Sequence, residues 1–290
     1  MIQTTILSLA LLAAPAPLQN DGHDHDHGAA AKAAPAVQQP TEFAPQTTCP
    51  VSGEELEDRD LWVDYQGHRV YLCCKKCNKK FKAFPDRYLF EMYQQGVAPE
   101  NVQKTCPVSG DDLEDRDNFV QYLNLRVYTC CKKCKRKVAK DPATWLDELE
   151  GRRPQEKCAV RGGKVKDEDS FLVEGVRVRQ CCAGCEKKWR ADPAKYFHEM
   201  EEQKVVLEAD PGTCLLHPGA TDAGRNWFVT VGPRRYWFHS LEELTRFFAD
   251  PTKYLPDLAA NAGRAKEHAG GHGESEGAGH DGHGDHDHGR

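Results

Sequence analysis

Cysteine is the residue type whose number and spacing in this chain point most clearly to chemistry. Twelve of the 13 cysteines form three quartets, in each of which one cysteine precedes a Cys-Cys-x-x-Cys cluster by more than twenty residues. The quartets are Cys49, Cys73, Cys74 and Cys77, then Cys106, Cys130, Cys131 and Cys134, and then Cys158, Cys181, Cys182 and Cys185. Thiolates in such sets bind Zn²⁺ or Cu⁺, and metal binding can supply the folding free energy that a unit of about 55 residues lacks. About three ions are therefore expected.

The sequence leaves two ligand sets open within each quartet. Neighbouring side chains on a strand point to opposite faces, so Cys73 and Cys74 share one ion only if the chain turns between them. Either all four cysteines bind, or three bind and one remains for exchange. An open position would suit the capture and release of a soft ion such as Cu⁺.

Basic residues crowd the first two Cys-Cys-x-x-Cys clusters. They are Lys75, Lys76, Lys79, Lys80 and Lys82 at the first cluster, and Lys132, Lys133, Lys135, Arg136 and Lys137 at the second. Such cations lower the pKa of a thiol and offset the negative charge of a metal–thiolate site. The alternative is an exposed helix face with no such role.

Two other uses of the cysteines compete with metal binding. Structural disulfides are expected in an oxidising compartment, but a disulfide between adjacent residues is strained and rare. Thiol–disulfide exchange through Cys74-x-x-Cys77 is the second alternative. Such redox motifs usually belong to a βαβ fold of about 100 residues, roughly twice the length of these units.

The cysteines belong to an internal repeat. Cys49-Pro-Val-Ser-Gly recurs at Cys106, and weaker copies begin at Cys158 and Cys214. Alternating apolar residues on either side of Gln66-Gly67 predict a β-hairpin before the first cluster, and helical periodicity follows it. Asp-Pro pairs predict the start of a second helix, with Asp as N-cap and Pro at the first helical position. These pairs stand at Asp141, Asp192 and Asp250.

Between the repeats we expect linkers near 94–104, 150–156 and 208–212.

If the repeats are independent, Cys106→Ser should remove one bound ion of three and unfold mainly residues 106–150. His68 and His198 are expected at the surface.

The fourth repeat lacks the later cysteines. His239 and Glu243 stand where the other repeats carry their cluster, and His217 follows Cys214 by three residues. Cys214, His217, His239 and Glu243 form a candidate mixed-ligand metal site. The alternative is a metal-free repeat held together by its aromatic residues, which are Trp227, Phe228, Tyr236, Trp237, Phe247 and Phe248.

Residues 46–260 resemble the TRASH/YHS group of small heavy-metal-associated domains. The resemblance rests on the first cysteine, the hairpin, the aromatic residue before the cluster (Tyr71, Cys73 and Cys77 in the first repeat), and an Asp-Pro-x-x-Tyr motif. The segment Tyr236-Trp-Phe-His239-Ser240 is similar to the YHS form. This resemblance implies trafficking, resistance or sensing of copper, zinc or similar ions without catalysis. It favours Cys73, Cys130 and Cys181 as ligands, whereas a Cys-x-x-Cys knuckle favours Cys74, Cys131 and Cys182.

The two ends of the chain have a different composition. A short apolar run before Ala14-Pro15-Ala16 is typical of a secretory signal peptide, although Lys and Arg are absent from the first five residues. Most histidines lie in two polar tails that we expect to be disordered, low-affinity metal-binding segments. They are His23, His25, His27, His268, His272, His280, His283, His286 and His288. The 35 basic and 35 acidic residues of 46–260 argue against a nucleic-acid-binding face.

We therefore expect an α+β protein of four tandem zinc-ribbon-like or TRASH-like units. The expected segments are a signal peptide at 1–16, a disordered stretch at 17–45, repeats at 46–98, 103–151, 155–207 and 212–260, and a disordered tail at 261–290. We expect the protein to be exported, either to the periplasm or out of the cell. Its predicted function is to buffer, sequester or traffic metal ions, without enzymatic activity. Its partners would be metal ions and a metal transporter or another exported protein, with no nucleic acid and no membrane span. Alternatives are a zinc-stabilised interaction scaffold and a thiol–disulfide oxidoreductase.

Overall fold

A computed structural model describes residues 42–210, 213–217, 220, 224–256 and 258. The predicted signal peptide and the histidines of both tails lie outside the described residues. The stretch expected to be disordered ends in described residues, of which Ala44–Pro45 form a short strand. The described chain is a mixed α+β structure with eight helices and several small sheets, none of which closes into a barrel. Among these residues, no helix is long and apolar enough to cross a bilayer.

One order of elements, an antiparallel hairpin followed by two helices, recurs four times. In chain order the strands are β1 (Ala44–Pro45), β2 (Trp62–Tyr65), β3 (His68–Tyr71), β4 (Val97–Ala98), β5 (Glu100–Asn101), β6 (Phe119–Tyr122), β7 (Leu125–Tyr128), β8 (Arg153–Pro154), β9 (Lys166–Val173), β10 (Val176–Gln180), β11 (Val205–Glu208), β12 (Trp227–Val231) and β13 (Arg234–Phe238). The helices are α1 (Lys75–Ala83), α2 (Pro85–Gln94), α3 (Lys132–Lys140), α4 (Pro142–Glu150), α5 (Gly184–Ala191), α6 (Pro193–Glu202), α7 (Leu241–Ala249) and α8 (Pro251–Tyr254).

The predicted hairpin around Gln66-Gly67 is confirmed. Strands β2 and β3 pair with Tyr65 opposite His68, and the two turn residues have φ of 51° and 75°. Two consecutive residues with positive φ match the right-handed twist of the strands, which explains the glycine at position 67. Tyr65 and Val70 face the core, with 4% and 0% of their surfaces exposed.

The predicted starts of the second helices are also confirmed. Asp141 and Asp192 are the N-caps of α4 and α6, and their carboxylates accept bonds from the backbone N–H of Thr144 and Lys195. The following proline occupies the first turn, where it needs no hydrogen-bonded N–H. Asp250 caps α8 in the same position without a side-chain bond.

The expected linkers are paired segments rather than free connections. β4 pairs with β1, and β5 adds to the edge of β3. After α4, β8 pairs with β11, and β11 in turn pairs with β13 of the fourth repeat. These short strands form backbone hydrogen bonds that strand edges would otherwise lack. The segments between the repeats therefore connect neighbouring repeats through strand pairing.

The four repeats share one core. Phe90 of α2 stacks on Phe248 of α7 at 4.4 Å, and Tyr122 of β6 stacks on Phe228 of β12 at 4.6 Å. The hydroxyl of Tyr122 also donates to the carbonyl of Phe228 at 2.9 Å. Buried residues from Cys49 to Leu255 form a single hydrophobic cluster. The expectation that one repeat unfolds by itself is therefore at odds with the packing.

The fourth repeat lies at the centre of the contacts between repeats. All five residues of β13 are buried, and Arg235 is fully enclosed. Its guanidinium binds both oxygens of Asp147 in α4 at 2.6 Å. Asp86 of α2 accepts bonds from the backbone N–H of Thr230 at 2.6 Å and from the Tyr65 hydroxyl at 2.8 Å. Polar groups from the first, second and fourth repeats are thus paired inside one core.

Candidate metal centres

The first cysteine of each quartet lies in a tight backbone turn. The Cys49 N–H donates to Glu54 O, and the Gly53 N–H donates back to Cys49 O, both at 2.8 Å. Gly53 has a φ of +78°, a backbone conformation that residues with a side chain rarely adopt. Cys106 and Cys158 are held by the same pair of bonds. Each of these cysteines is at most 1% exposed, with its sulfur presented to the end of the neighbouring hairpin.

Two more cysteines meet the first where the hairpin passes into a helix. Cys73 follows the end of β3, and Cys77 is buried in the first turn of α1. The sulfurs of Cys49, Cys73 and Cys77 lie within 4.8 Å of one another. Equivalent groups form from Cys106, Cys130 and Cys134 and from Cys158, Cys181 and Cys185. We refer to these three groups as the thiol triads, and their dimensions allow each to hold a metal ion.

The remaining cysteine of each quartet lies beside its thiol triad but outside the compact group. We call Cys74, Cys131 and Cys182 the outer cysteines. Cys74 and Cys131 are exposed N-caps of α1 and α3 and make no side-chain capping bond. Cys182 is half-buried, and its sulfur lies 3.6 Å from that of Cys185. All thirteen cysteines are free thiols in this structure.

The thiols of one triad differ in acidity. Burial disfavours the Cys49 thiolate, but backbone N–H groups, chiefly that of Cys73, and the Ser52 hydroxyl outweigh burial and lower its pKa to about 7. Burial, followed by the neighbouring sulfurs, raises the pKa of Cys77 well above its usual value and that of Cys134 to about 12. One thiolate is therefore available near neutral pH, and the others keep their protons until a cation replaces them.

The lysines predicted to crowd the clusters lie on the exposed faces of α1 and α3. Among the described residues, they take part in no ion pair with an acidic side chain closer than 4.0 Å. They therefore place positive charge on the two helices whose N-caps are the exposed outer cysteines.

Sequence reasoning missed a buried glutamine that supports each thiol triad. Gln103 donates to the carbonyl of Tyr128 at 2.6 Å and to that of Thr105 at 2.8 Å, and it accepts the Tyr128 N–H at 2.9 Å. Gln46 and Gln155 make the same three bonds in the first and third repeats. Each glutamine ties the turn of the first cysteine to the strand end that precedes the second. The sequence could have indicated this role, because a glutamine stands three residues before the first cysteine of all three quartets.

The fourth repeat brings its four predicted residues together. Donor atoms of Cys214, His217, His239 and Glu243, which we call the mixed cluster, lie within 4.8 Å of one another. The Cys214 sulfur is 3.2 Å from Glu243 Oε2, and the Nδ1 atoms of His217 and His239 are each 3.0 Å from an oxygen of Glu243. This geometry allows the group to hold a metal ion.

The two remaining histidines of the described chain have different surroundings. The His198 side chain is 73% exposed, as expected. The expectation for His68 was wrong, because it is 1% exposed. Its Nδ1 donates to the Gln66 carbonyl at 2.7 Å, and its Nε2 accepts the Arg126 N–H at 3.1 Å. A strand from the second repeat covers it, which local sequence does not reveal.

Comparison with known proteins finds no matching family model, no matching curated protein and no matching solved structure.

Proposed function

We propose that this chain is an exported, non-enzymatic carrier or buffer of soft heavy-metal ions, held in its three thiol triads. Each triad offers three sulfurs, which suit Cu⁺ and Zn²⁺ better than hard cations. The observation that carries the proposal is the recurrence of one compact thiol triad at the same hairpin–helix junction in three repeats. The TRASH/YHS resemblance supports the same class of function.

Exchange rather than permanent storage is supported by the outer cysteines. A three-coordinate soft ion keeps an open position, through which an incoming thiolate can bind before a resident one leaves. Cys74 and Cys131 are exposed beside such a position, and hydrogen bonds from the backbone N–H and then the side chain of Cys77 and Cys134 lower the pKa of their thiols. The outer cysteines would thus pass an ion between the thiol triad and a partner transporter or another exported protein. The histidine-rich tails would collect ions nearby.

Two triple variants of the full-length chain test the proposal. Cys73→Ser/Cys130→Ser/Cys181→Ser removes one ligand from each thiol triad, and we expect it to lose three bound Cu⁺ ions by native mass spectrometry under anaerobic conditions. Cys74→Ser/Cys131→Ser/Cys182→Ser should keep all three ions. It should give them up to bathocuproine disulfonate, a Cu⁺ chelator, at least tenfold more slowly than the unmodified chain.

Each variant can overturn a different part of the proposal. Retention of three ions by the first variant would show that the thiol triads are not the metal sites. Loss of ions from the second would show that all four cysteines bind, and the exchange role would be wrong. Ions that resist the chelator in every chain would favour the zinc-stabilised scaffold.

A further inference from the structure

We propose that the mixed cluster is a closed Zn²⁺ site, distinct in metal preference and in lability from the three thiol triads. Zn²⁺ binding by the mixed cluster does not depend on whether the thiol triads carry metal, whereas the contrast in metal preference and lability rests on the proposed function. It divides the repeats into three that exchange an ion and one that keeps its ion.

The mixed cluster is a substituted copy of a thiol triad. Cys214 lies in the position of Cys49, before the hairpin of its repeat. His239 and Glu243 lie one residue before and three residues after the N-cap of α7, as Cys73 and Cys77 do around the N-cap of α1. Three of the four donors therefore occupy positions equivalent to those of the three sulfurs in the other repeats.

The fourth donor replaces a serine. In the first repeat Ser52, three residues after Cys49, places its hydroxyl 3.3 Å from the Cys73 sulfur. In the fourth repeat His217 stands three residues after Cys214, with Nδ1 3.8 Å from the Cys214 sulfur. The imidazole supplies a fourth ligand on the side where the first repeat has only a hydroxyl.

The outer cysteine is also replaced in this repeat. Ser240 occupies the position of Cys74 and is the N-cap of α7, accepting the Glu243 N–H at 3.3 Å. Cys74 makes no side-chain capping bond. The mixed cluster thus has a fourth resident ligand and lacks the exchangeable thiol, the combination that distinguishes a closed site from an open one.

The donor set favours a different ion. One thiolate, two imidazole nitrogens and one carboxylate oxygen suit tetrahedral Zn²⁺, whereas Cu⁺ is selected by sulfur ligands. Cys214 and Glu243 are buried, at 3% and 8% exposure, so water has limited access to half of the ligands.

The position of the cluster gives the ion a structural role. It joins the turn at Cys214 to the end of β13 and the first turn of α7, and the Leu215 N–H already donates to the Trp237 carbonyl beside it. Phe238, the last residue of β13, packs on Phe247 with ring centroids 5.5 Å apart. A bound Zn²⁺ would fix the repeat whose strand lies at the centre of the shared core.

The test uses the full-length chain and Zn²⁺ itself. His217→Ser installs the residue that the first and second repeats carry at this position, so it opens the site with little change in packing. After loading with both ions, we expect the unmodified chain to hold one Zn²⁺ that survives a chelator wash removing Cu⁺. His217→Ser should bind that Zn²⁺ at least tenfold more weakly, while exposed His198→Ser should behave as the unmodified chain.

Cobalt substitution identifies the ligands independently of the tails, which contain no cysteine. Co²⁺ added to the Cu⁺-loaded chain should give a tetrahedral visible spectrum with a sulfur-to-cobalt band, and Cys214→Ser should abolish that band. Equal Zn²⁺ retention and equal cobalt spectra in the unmodified chain, His217→Ser and Cys214→Ser would overturn the proposal and leave a hydrogen-bonded cluster without metal. If Cys214→Ser fails to fold, the His217→Ser comparison decides alone. Failure here leaves the result for the thiol triads unaffected, because that result is read from the Cu⁺ count.

Discussion

At the scale of single residues, each of the first two thiol triads combines one acidic thiol with two that resist ionisation. Backbone N–H groups stabilise the Cys49 and Cys106 thiolates enough to bring each pKa to about 7, although burial opposes this. The pKa of Cys73 is raised, because burial and the neighbouring Cys49 and Glu54 outweigh the favourable Ser52 hydroxyl. A metal ion that binds a triad therefore has to displace the protons of these two thiols.

This inequality predicts how metal affinity depends on pH. Above pH 7 Cys49 is already ionised, so an ion displaces about two protons from Cys73 and Cys77, whereas below pH 7 it displaces about three. The slope of the logarithm of the Cu⁺ affinity against pH should therefore steepen from about two to about three as pH falls through 7. Competition titrations from about pH 5.5 to about pH 8.5 measure the slope. A slope that stays constant would contradict the assignment of the acidic thiol.

At the scale of elements, local patterns predicted most of what positions the clusters. The hairpin at Gln66-Gly67 and the helix starting after Asp141 follow from alternation, turn chemistry and capping, which act within a few residues. The strands β5 and β8 were not predicted, because their hydrogen-bond partners lie in distant segments. The role of Gln103 was missed for the same reason, since its partner Tyr128 is 25 residues away.

The buried glutamine gives a test of how the elements support a site. Gln103→Leu removes three bonds and leaves the Tyr128 N–H and carbonyl unpaired in a buried position. We expect the second thiol triad to bind metal about 10–100-fold more weakly, the effect typical of losing support behind a ligand. Exposed Gln94→Leu is the matched control. Competition titrations measure the metal affinities of the two variants. Equal affinities would show that Gln103 does not support the second thiol triad.

His68 links β3 to the second repeat and gives a second test at this scale. Burial lowers its pKa to about 4, and its Nε2 accepts bonds from the Arg126 N–H and the Asn101 amide. Unfolded His68 takes up a proton near pH 6.5, so its contribution to stability is complete above that pH and is lost as pH falls towards 4.

Replacement of His68 should therefore matter less in acid. The difference in free energy of unfolding between the unmodified chain and His68→Gln should shrink by about 2 kcal/mol from about pH 7 to about pH 5. Urea titrations at both pH values measure it. His198→Gln, at an exposed position, should show no such change. A pH-independent difference for His68→Gln would mean that the imidazole does not stay neutral in the fold.

At the scale of the whole molecule, the four repeats pack around one hydrophobic core, and we expect them to unfold cooperatively. The described residues fall within a single compact unit, and the buried pair of Arg235 and Asp147 joins the fourth repeat to the second. The sequence showed four repeats but not their mutual packing. The contacts of Phe90 with Phe248 and of Tyr122 with Phe228 join residues more than 100 positions apart, which no local pattern encodes.

Asp147→Ala tests this cooperativity. It leaves the guanidinium of Arg235, whose side chain is 0% exposed, without its bidentate partner, so the free energy of unfolding should fall by about 3–5 kcal/mol. Asp64→Ala breaks an ion pair whose carboxylate is 49% exposed and should cost less than about 1 kcal/mol. Urea unfolding followed by tryptophan fluorescence and by release of Cu⁺ should show one shared transition. Early loss of a single ion would instead support independently unfolding repeats.

Native mass spectrometry of the full-length chain, never exposed to chelator, tests most directly whether the thiol triads are metal sites. The measured mass reports bound ions and disulfides together. We expect ions at the three thiol triads, one further ion at the mixed cluster and cysteines without disulfides. A metal-free chain whose mass is lowered by several disulfides would contradict this expectation.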